Sequence, residues 1–363
     1  MATFRKFIPQ VRFHPGITLN EKLEEMEMSV KEFALRTSKP EKTIFAVIGG
    51  NSSVTPDMAV AFESVTKIPA HFWLNKQRGY DEYIARKRRE EQLALDYEWV
   101  RTFPLTKMME LGWIPPVSTA EEKINALLSF FQISTVKAWE DYYLRQQLKV
   151  SFRISLWGTK EPHAISAWLR RGEIQASEME VAEFSDKALR ESIPTMKALC
   201  AMHPADFAVR LQELCASVGI KLVYTPCLPK APINGSTRWL NNVPCIQMSG
   251  RYKRNDIFWF TFFHELGHIL LHGKKDIFLE DIDYADKQKN KEDEADAFAS
   301  RTLLPVSAEN EIIRRGDFSA EVIEQYATKY GIHPAIIVGR LQHKKLIPFT
   351  ANADVFEKID LFG

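Results

Sequence analysis

The sequence predicts a mainly helical α+β fold with a small β-sheet, and three observations carry that expectation. Apolar residues recur at helical spacing over most of the 363 residues. The N-terminal quarter reads as a series of short, sharply punctuated helices. Strand-like alternation with a two-residue turn is confined to the stretch around residues 220–249. The expected organisation is a five-helix domain over residues 12–90, a helical connector over 91–200, a C-terminal domain holding the sheet over 201–349, and a tail over 350–363.

The length exceeds what one ordinary hydrophobic core serves, so more than one domain is expected. A hydrophobic content of 45% and a charged content of 26% fit a soluble globular protein. No apolar run reaches the roughly eighteen residues of a membrane span, and the opening MATFRKFIPQ has no apolar core suited to export. A cytoplasmic protein without a membrane partner is expected. Cys200, Cys215, Cys227 and Cys245 form no CxxC pair and read as reduced thiols. The net charge of +1 argues against attraction of the whole chain to nucleic acid, so any such contact is local.

Leu19, Leu23 and Met26 give the first helix its apolar face. Ser29 and Glu32 have the spacing of a capping box, in which the hydroxyl takes a free backbone amide and the carboxylate reaches back to the cap's own amide. A second helix therefore starts there, with Val30, Phe33 and Ala34 inward. Pro40 suits the first turn of a third helix carrying Ile44, Val47 and Ile48, which Gly49-Gly50-Asn51 ends. Thr55-Pro56 opens a fourth helix with Phe62 and Val65, and Pro69 a fifth with Phe72 and Trp73. Two short helices with a tight link fit a helix-turn-helix, whose third helix would enter the DNA major groove with Glu41, Lys42 and Thr43 near its exposed start. A small bundle that binds protein is the plainer alternative. Residues 1–91 hold 15 basic and 12 acidic residues, a net of +3, so phosphate attraction is modest. Lys76, Arg78, Arg86, Lys87, Arg88 and Arg89 supply most of that excess and read as a solvated helix face.

The stretch FHPGITLNEKLEEMEMSVKEFALRTSKPEKTIFAVIGG followed by VTPDMAVAFESVTKIPAHFWLN resembles the XRE-type helix-turn-helix domain of HigA-like antitoxins and phage-type repressors. The resemblance covers roughly a quarter of the chain. It implies binding to a double-stranded DNA operator, as a homodimer at an inverted repeat.

Residues 93–200 are helical in tone, with breaks at Pro104, Pro115-Pro116 and Pro162 and no catalytic motif. Their tryptophans read as core, and His163 and His203 as lone capping or satisfied side chains. The chemistry is expected in FWFTFFHELGHILLHG, an HExxH motif within an almost wholly apolar helix. Four residues advance a helix about 40° beyond one turn, so His264 and His268 share a face and can share a metal ion. Glu265 lies about 100° around the helix, off the metal but near its open coordination position, where it can serve as general base.

A third ligand follows in KEDEADAFASRTLLP, another amphipathic helix. Glu292 is the preferred ligand. Asp296, one turn later on the same face, is placed to orient a metal-binding histidine. Glu294 is the alternative ligand on a different side of the helix. His272 continues the four-residue series but lies about 12 Å along the axis from His264, too far to ligate the same ion. Beside Gly273 it suits a helix C-terminus. Two imidazoles and one carboxylate also suit non-haem iron, yet the adjacent Glu265 favours hydrolysis with zinc, manganese remaining open. Upstream, Ile220, Leu222 and Tyr224 alternate inward, and NGSTRWLNNVPCIQMSG reads as a hairpin turning at Asn241-Asn242. An edge strand near Cys245–Ser249 could hold an extended peptide by main-chain pairing.

The run from GIKLVYTP through HELGHILLHGKKD to EDEADAFASRTLLP, with GIHPAIIVGRLQHKKLI downstream, resembles the ImmA/IrrE family of metallo-endopeptidases, a compact zincin-like group, over about residues 205–345. The resemblance implies a protein substrate, typically a helix-turn-helix repressor, and many relatives carry a HigA-like domain as well. Two expectations follow. The chain is either a zinc-dependent endopeptidase coupled to a DNA-binding domain, cutting a repressor or itself, or a HigA-like antitoxin and transcriptional repressor whose peptidase fold senses or binds without cleavage.

Overall fold

The computed structural model describes residues 12–144, 161–231, 233–273, 278–279 and 286–362; the opening MATFRKFIPQ lies outside the described residues. The chain divides into two compact units, Met1–Tyr97 and Glu98–Gly363. No helix among the described residues is long and apolar enough to cross a membrane.

The first unit holds α1 (Pro15–Glu25), α2 (Val30–Arg36), α3 (Glu41–Ile48), α4 (Pro56–Thr66) and α5 (Ala70–Leu95). Their starts follow local chemistry. The Ser29 hydroxyl accepts from the Glu32 amide at 3.1 Å and the Thr55 hydroxyl from the Met58 amide at 3.3 Å. The Glu32 carboxylate pairs instead with Arg36 at 2.6 Å, so only half of the expected capping box forms. Past α3, Gly50 takes φ +73°, a left-handed turn that glycine adopts without strain. Leu19, Leu23, Phe33, Ile44, Val47, Phe62 and Trp73 are nearly or fully buried in one core. The Gln77 side chain accepts from the Val54 amide at 2.9 Å, tying α5 to the loop before α4.

The second unit opens with α6 (Tyr97–Arg101, which begins at the unit boundary), α7 (Leu105–Glu110), α8 (Ala120–Phe131) and α9 (Val136–Trp139), the last continuing as a π-helical turn over Glu140–Leu144. Then come α10 (Pro162–Ser177), α11 (Asp186–Met202) and α12 (Phe207–Ser217). Trp99, Trp113, Trp139 and Trp168 are buried, as expected of core tryptophans. His163 stacks on Trp139 at 4.5 Å between centroids and 9° between planes. Burial holds its pKa down at about 4. Between about pH 4 and 6.5 the unfolded chain binds a proton that the folded one excludes, so this group costs stability as the pH falls through that window. Because the ring retains some water contact, the cost is about 1–2 kcal/mol. His163→Phe keeps the stack and should raise the thermal midpoint at pH 5 relative to wild type while leaving it unchanged at pH 8. Equal midpoints at pH 5 would refute the account.

A four-stranded sheet follows, built from β1 (Lys221–Tyr224), β2 (Gly235–Leu240), β3 (Val243–Met248) and β4 (Phe278–Leu279) in the order β1-β3-β2-β4. β1 runs parallel to β3, and β2 pairs antiparallel with both β3 and β4. The hairpin turn lies at Asn241 and Asn242, with φ of 51° and 68°. One expectation is corrected. β3 is not an edge strand, because β1, distant in sequence, pairs along its other side; the edges are β1 and β4. β1 alternates as expected, with Ile220, Leu222 and Tyr224 turned to the main core, and Val223 is buried on the opposite face as well. The cause is cover on both faces. Ile246 and Met248 join Leu222 in the main core, whereas Cys245 joins Val223 and Ala176 of α10 on the other side.

The α10 face is polar at its centre. Arg238, 1% exposed, donates from Nη2 to the Leu169 carbonyl at 2.6 Å and to Gln247 Oε1 at 2.9 Å. Gln247 donates to the Trp168 carbonyl at 2.7 Å, and the Trp168 indole to the Thr225 carbonyl at 3.1 Å. On the opposite face lies α13 (Asn255–His272), followed by α14 (Asp286–Leu303), α15 (Val306–Arg315), α16 (Ala320–Tyr330) and α17 (Pro334–His343). His203 caps α11 and accepts from the Trp259 indole at 3.0 Å, the satisfied role expected of it. Cys200, Cys215, Cys227 and Cys245 are free, and burial pushes the Cys200 and Cys215 thiols far up.

Candidate functional site

α13 is buried along almost its whole length, and its one polar face carries His264, Glu265 and His268, which are 2%, 0% and 1% exposed. β2 supports that face. The Thr237 hydroxyl donates to the Glu265 carbonyl at 3.0 Å. Gly235 passes so close that a Cβ there would lie 2.6 Å from Glu265 Oε1 and 2.7 Å from Thr261 Cγ2. Glycine is thus the residue that leaves room for the carboxylate. α13 also crosses α14 at small residues: a Cβ on Gly267 would meet the Ala295 Cα at 3.3 Å and Phe298 Cδ1 at 3.1 Å.

This crossing brings Glu292 to the histidines. His264 Nε2 lies 3.0 Å from His268 Nε2 and 3.1 Å from Glu292 Oε2, and His268 Nε2 lies 3.5 Å from the same oxygen. His264, His268 and Glu292 each offer one ligand atom to this cluster. A tetrahedral centre with bonds of about 2.0–2.1 Å has edges of about 3.3 Å, so the three spacings fit such a centre. Glu292 Oε1 is buried with no hydrogen-bond partner among the described residues, an oxygen left over for a cation. Burial brings the His268 pKa down to about 4 against the opposing hydrogen bond with Glu292. Burial alone would raise the Glu292 carboxyl, but hydrogen bonds and charge from the two histidines outweigh it and hold it at about 2. At neutral pH the carboxylate is ionised and the His268 imidazole neutral, the protonation states that metal ligation needs.

Asp296 Oδ1 lies 2.8 Å from His264 Nδ1. A carboxylate only accepts, so this nitrogen carries the proton and Nε2 keeps its lone pair for the cluster. Glu294, the alternative ligand of the sequence reading, is outside the cluster; its Oε2 lies 3.0 Å from His272 Nε2. His272 in turn sets its Nδ1 2.9 Å from His268 Nδ1. Sequence reasoning missed that connection, although the four-residue histidine series and the spacing of Glu292, Glu294 and Asp296 were signals for it.

In the first unit, Glu41 and Lys42 are exposed at the first two positions of α3 and Thr43 is half-buried, with Ile44 and Val47 anchoring the helix beneath them. α2 and α3 are joined by four residues, a tight helical link of helix-turn-helix form.

Residues 215–342 match the IrrE N-terminal-like domain. The chain is 30% identical over 73 residues to the uncharacterized HTH-type transcriptional regulator YddM of Escherichia coli K12, an overlap covering 20% of this chain and 78% of that protein. The chain belongs to the helix-turn-helix regulators, here joined to an ImmA/IrrE-type domain. The IrrE-like match spans α13 and α14, hence the whole cluster, and has a metallopeptidase-like fold. The helix-turn-helix domain is also similar to an addiction module antidote protein of the HigA family from Coxiella burnetii, at 30% identity, 24% of this chain and 96% of that one, TM-score 0.22. The antitoxin HigA of Pseudomonas aeruginosa, solved with its promoter, is 25% identical over 23% of this chain and 90% of that one, TM-score 0.22.

Proposed function

We propose that this chain is a DNA-binding regulator whose IrrE-like domain hydrolyses a peptide bond in a regulatory protein, a helix-turn-helix repressor or the chain itself. The observation carrying the reading is the convergence of three ligand atoms, 3.0–3.5 Å apart, beside the buried Glu265. His264, His268 and Glu292 would hold zinc, with manganese as the other candidate, and Asp296 orients His264. Zinc held there supplies Lewis acidity, lowering the pKa of water to about 7 and polarising a peptide carbonyl. Glu265 takes the proton of the attacking water on its carboxylate and returns it to the departing amide nitrogen. Main-chain pairing along the β4 edge of the sheet would hold an extended substrate, since two carbonyls of β1, those of Leu222 and Tyr224, already accept from Gln212 and Gln175.

At the other end, Glu41, Lys42 and Thr43 on α3 would read an operator in double-stranded DNA, with two copies of the chain on an inverted repeat. The working division is a DNA-binding segment over 12–90, a helical segment over 91–200, and the peptidase segment over 201–349 with its tail. The relationship to an HTH-type transcriptional regulator supports the regulatory half. It equally favours a second reading, a repressor of antitoxin type that does not cleave. Elemental mass spectrometry decides the metal question without a known substrate. Wild type is expected to hold about one zinc per chain, and His264→Ala and Glu292→Ala to lose it while staying folded. Metal that is absent from wild type, or retained by both variants, would leave the non-cleaving regulator as the better reading.

A further inference from the structure

The two histidines of the cluster are held differently at their far nitrogens. His264 meets a carboxylate directly, whereas His268 meets another imidazole, that of His272, which meets Glu294. We propose that His272 and Glu294 are positioning residues, a hydrogen-bonded relay that fixes His268 in the tautomer presenting its Nε2 lone pair to the metal. The inference rests on the metal-centre reading above.

The proton positions follow from what each atom can do. Glu294 is a carboxylate and only accepts, so His272 Nε2, 3.0 Å away, is the donor. With that proton on Nε2, the arrangement assigns the acceptor role to His272 Nδ1, across 2.9 Å from His268 Nδ1–H. His268 Nε2 is left without a proton, facing His264 Nε2 and Glu292 Oε2. Without this chain the neutral His268 ring could place its proton on either nitrogen, and half of that choice would block ligation. Helix geometry supplies the contact, because His268 and His272 are one turn apart on α13. The His272 side chain is 3% exposed and so shielded from water that would compete for the bond. Glu292, Glu294 and Asp296 are therefore spaced along α14 so that one carboxylate joins the cluster and each of the others fixes one histidine, directly or through His272.

Zinc affinity measured by chelator competition on the full chain tests the relay, alongside long-range proton–nitrogen correlation of the metal-free protein to read the His268 tautomer. His272→Phe should weaken zinc binding by about 10–100-fold and turn His268 into a mixture of tautomers. His272→Asn, which sets an amide oxygen near the place of Nδ1, should restore most of the affinity. Glu294→Ala changes an exposed residue and spares the packing, so a several-fold loss of affinity is expected there even if His272→Phe does not fold. A folded His272→Phe or Glu294→Ala with wild-type zinc affinity, or a wild-type His268 protonated on Nε2, would overturn the relay and leave the metal centre standing. If wild type takes up no zinc, the metal reading itself fails.

Discussion

Glu265→Gln is expected to keep the metal and the fold while lowering peptide hydrolysis by about 10²–10⁴-fold, the usual contribution of general acid–base catalysis. Glutamine has the same shape, and Glu265 is fully buried in the space that Gly235 leaves open, so the backbone and its hydrogen bond from Thr237 should be undisturbed. What changes is the ability to accept a proton. The three ligand atoms belong to other residues, so zinc content should match wild type. Cleavage of a fluorogenic casein derivative, together with intact mass measurement of the chain itself, provides the readout. Undiminished cleavage by the variant would remove Glu265 from the role of base. Loss of metal along with activity would mean that the carboxylate supports the site instead.

Arg238→Ala is expected to destabilise the second unit by about 3–5 kcal/mol, the cost of stripping one partner from a buried charged network. The guanidinium is almost wholly buried between the sheet and α10, bonded to the Leu169 carbonyl and Gln247 and 3.8 Å from the Glu173 carboxylate. Alanine would leave those acceptors facing a cavity. Against a typical total stability of about 5–15 kcal/mol, a loss of that size should be plain in urea unfolding. Arg238→Met, which fills the space without the charge, should recover part of it. A midpoint for Arg238→Ala close to wild type would show that the network adds little stability.

Much of the first unit was legible because helix ends obey local rules. Ser29, Thr55, Pro40 and the Gly49-Gly50 pair mark boundaries that the structure reproduces, and Asn241-Asn242 marked the hairpin by tolerating positive φ. The spacing within His264–His268 is likewise a local property of a helix. Pairings between distant segments were less legible. β3 lost its expected edge to a strand about twenty residues upstream, and the second face of β1, at Val223, is covered by α10, which no period in β1 could announce. His272 illustrates the same limit within the site. Its distance from His264 leaves it outside the cluster of His264, His268 and Glu292, but its meeting with Glu294 depends on how two helices cross.

That crossing also bears on which ion the site would accept. Both ligand-bearing helices approach over Gly267 and Ala295, where backbone nearly touches backbone, so the separation of Glu292 from the histidine pair is set by two residues that bind nothing. The crossing acts as a caliper: a bulkier side chain at either position would open the distances from Glu292 to both histidines, with the His264–His268 spacing along α13 unchanged, and under the metal-centre reading would shift the preference toward a larger cation. Under the metal-centre reading, discrimination by ionic radius would be in that sense a property of the main chain, separable from the donors that would bind the ion.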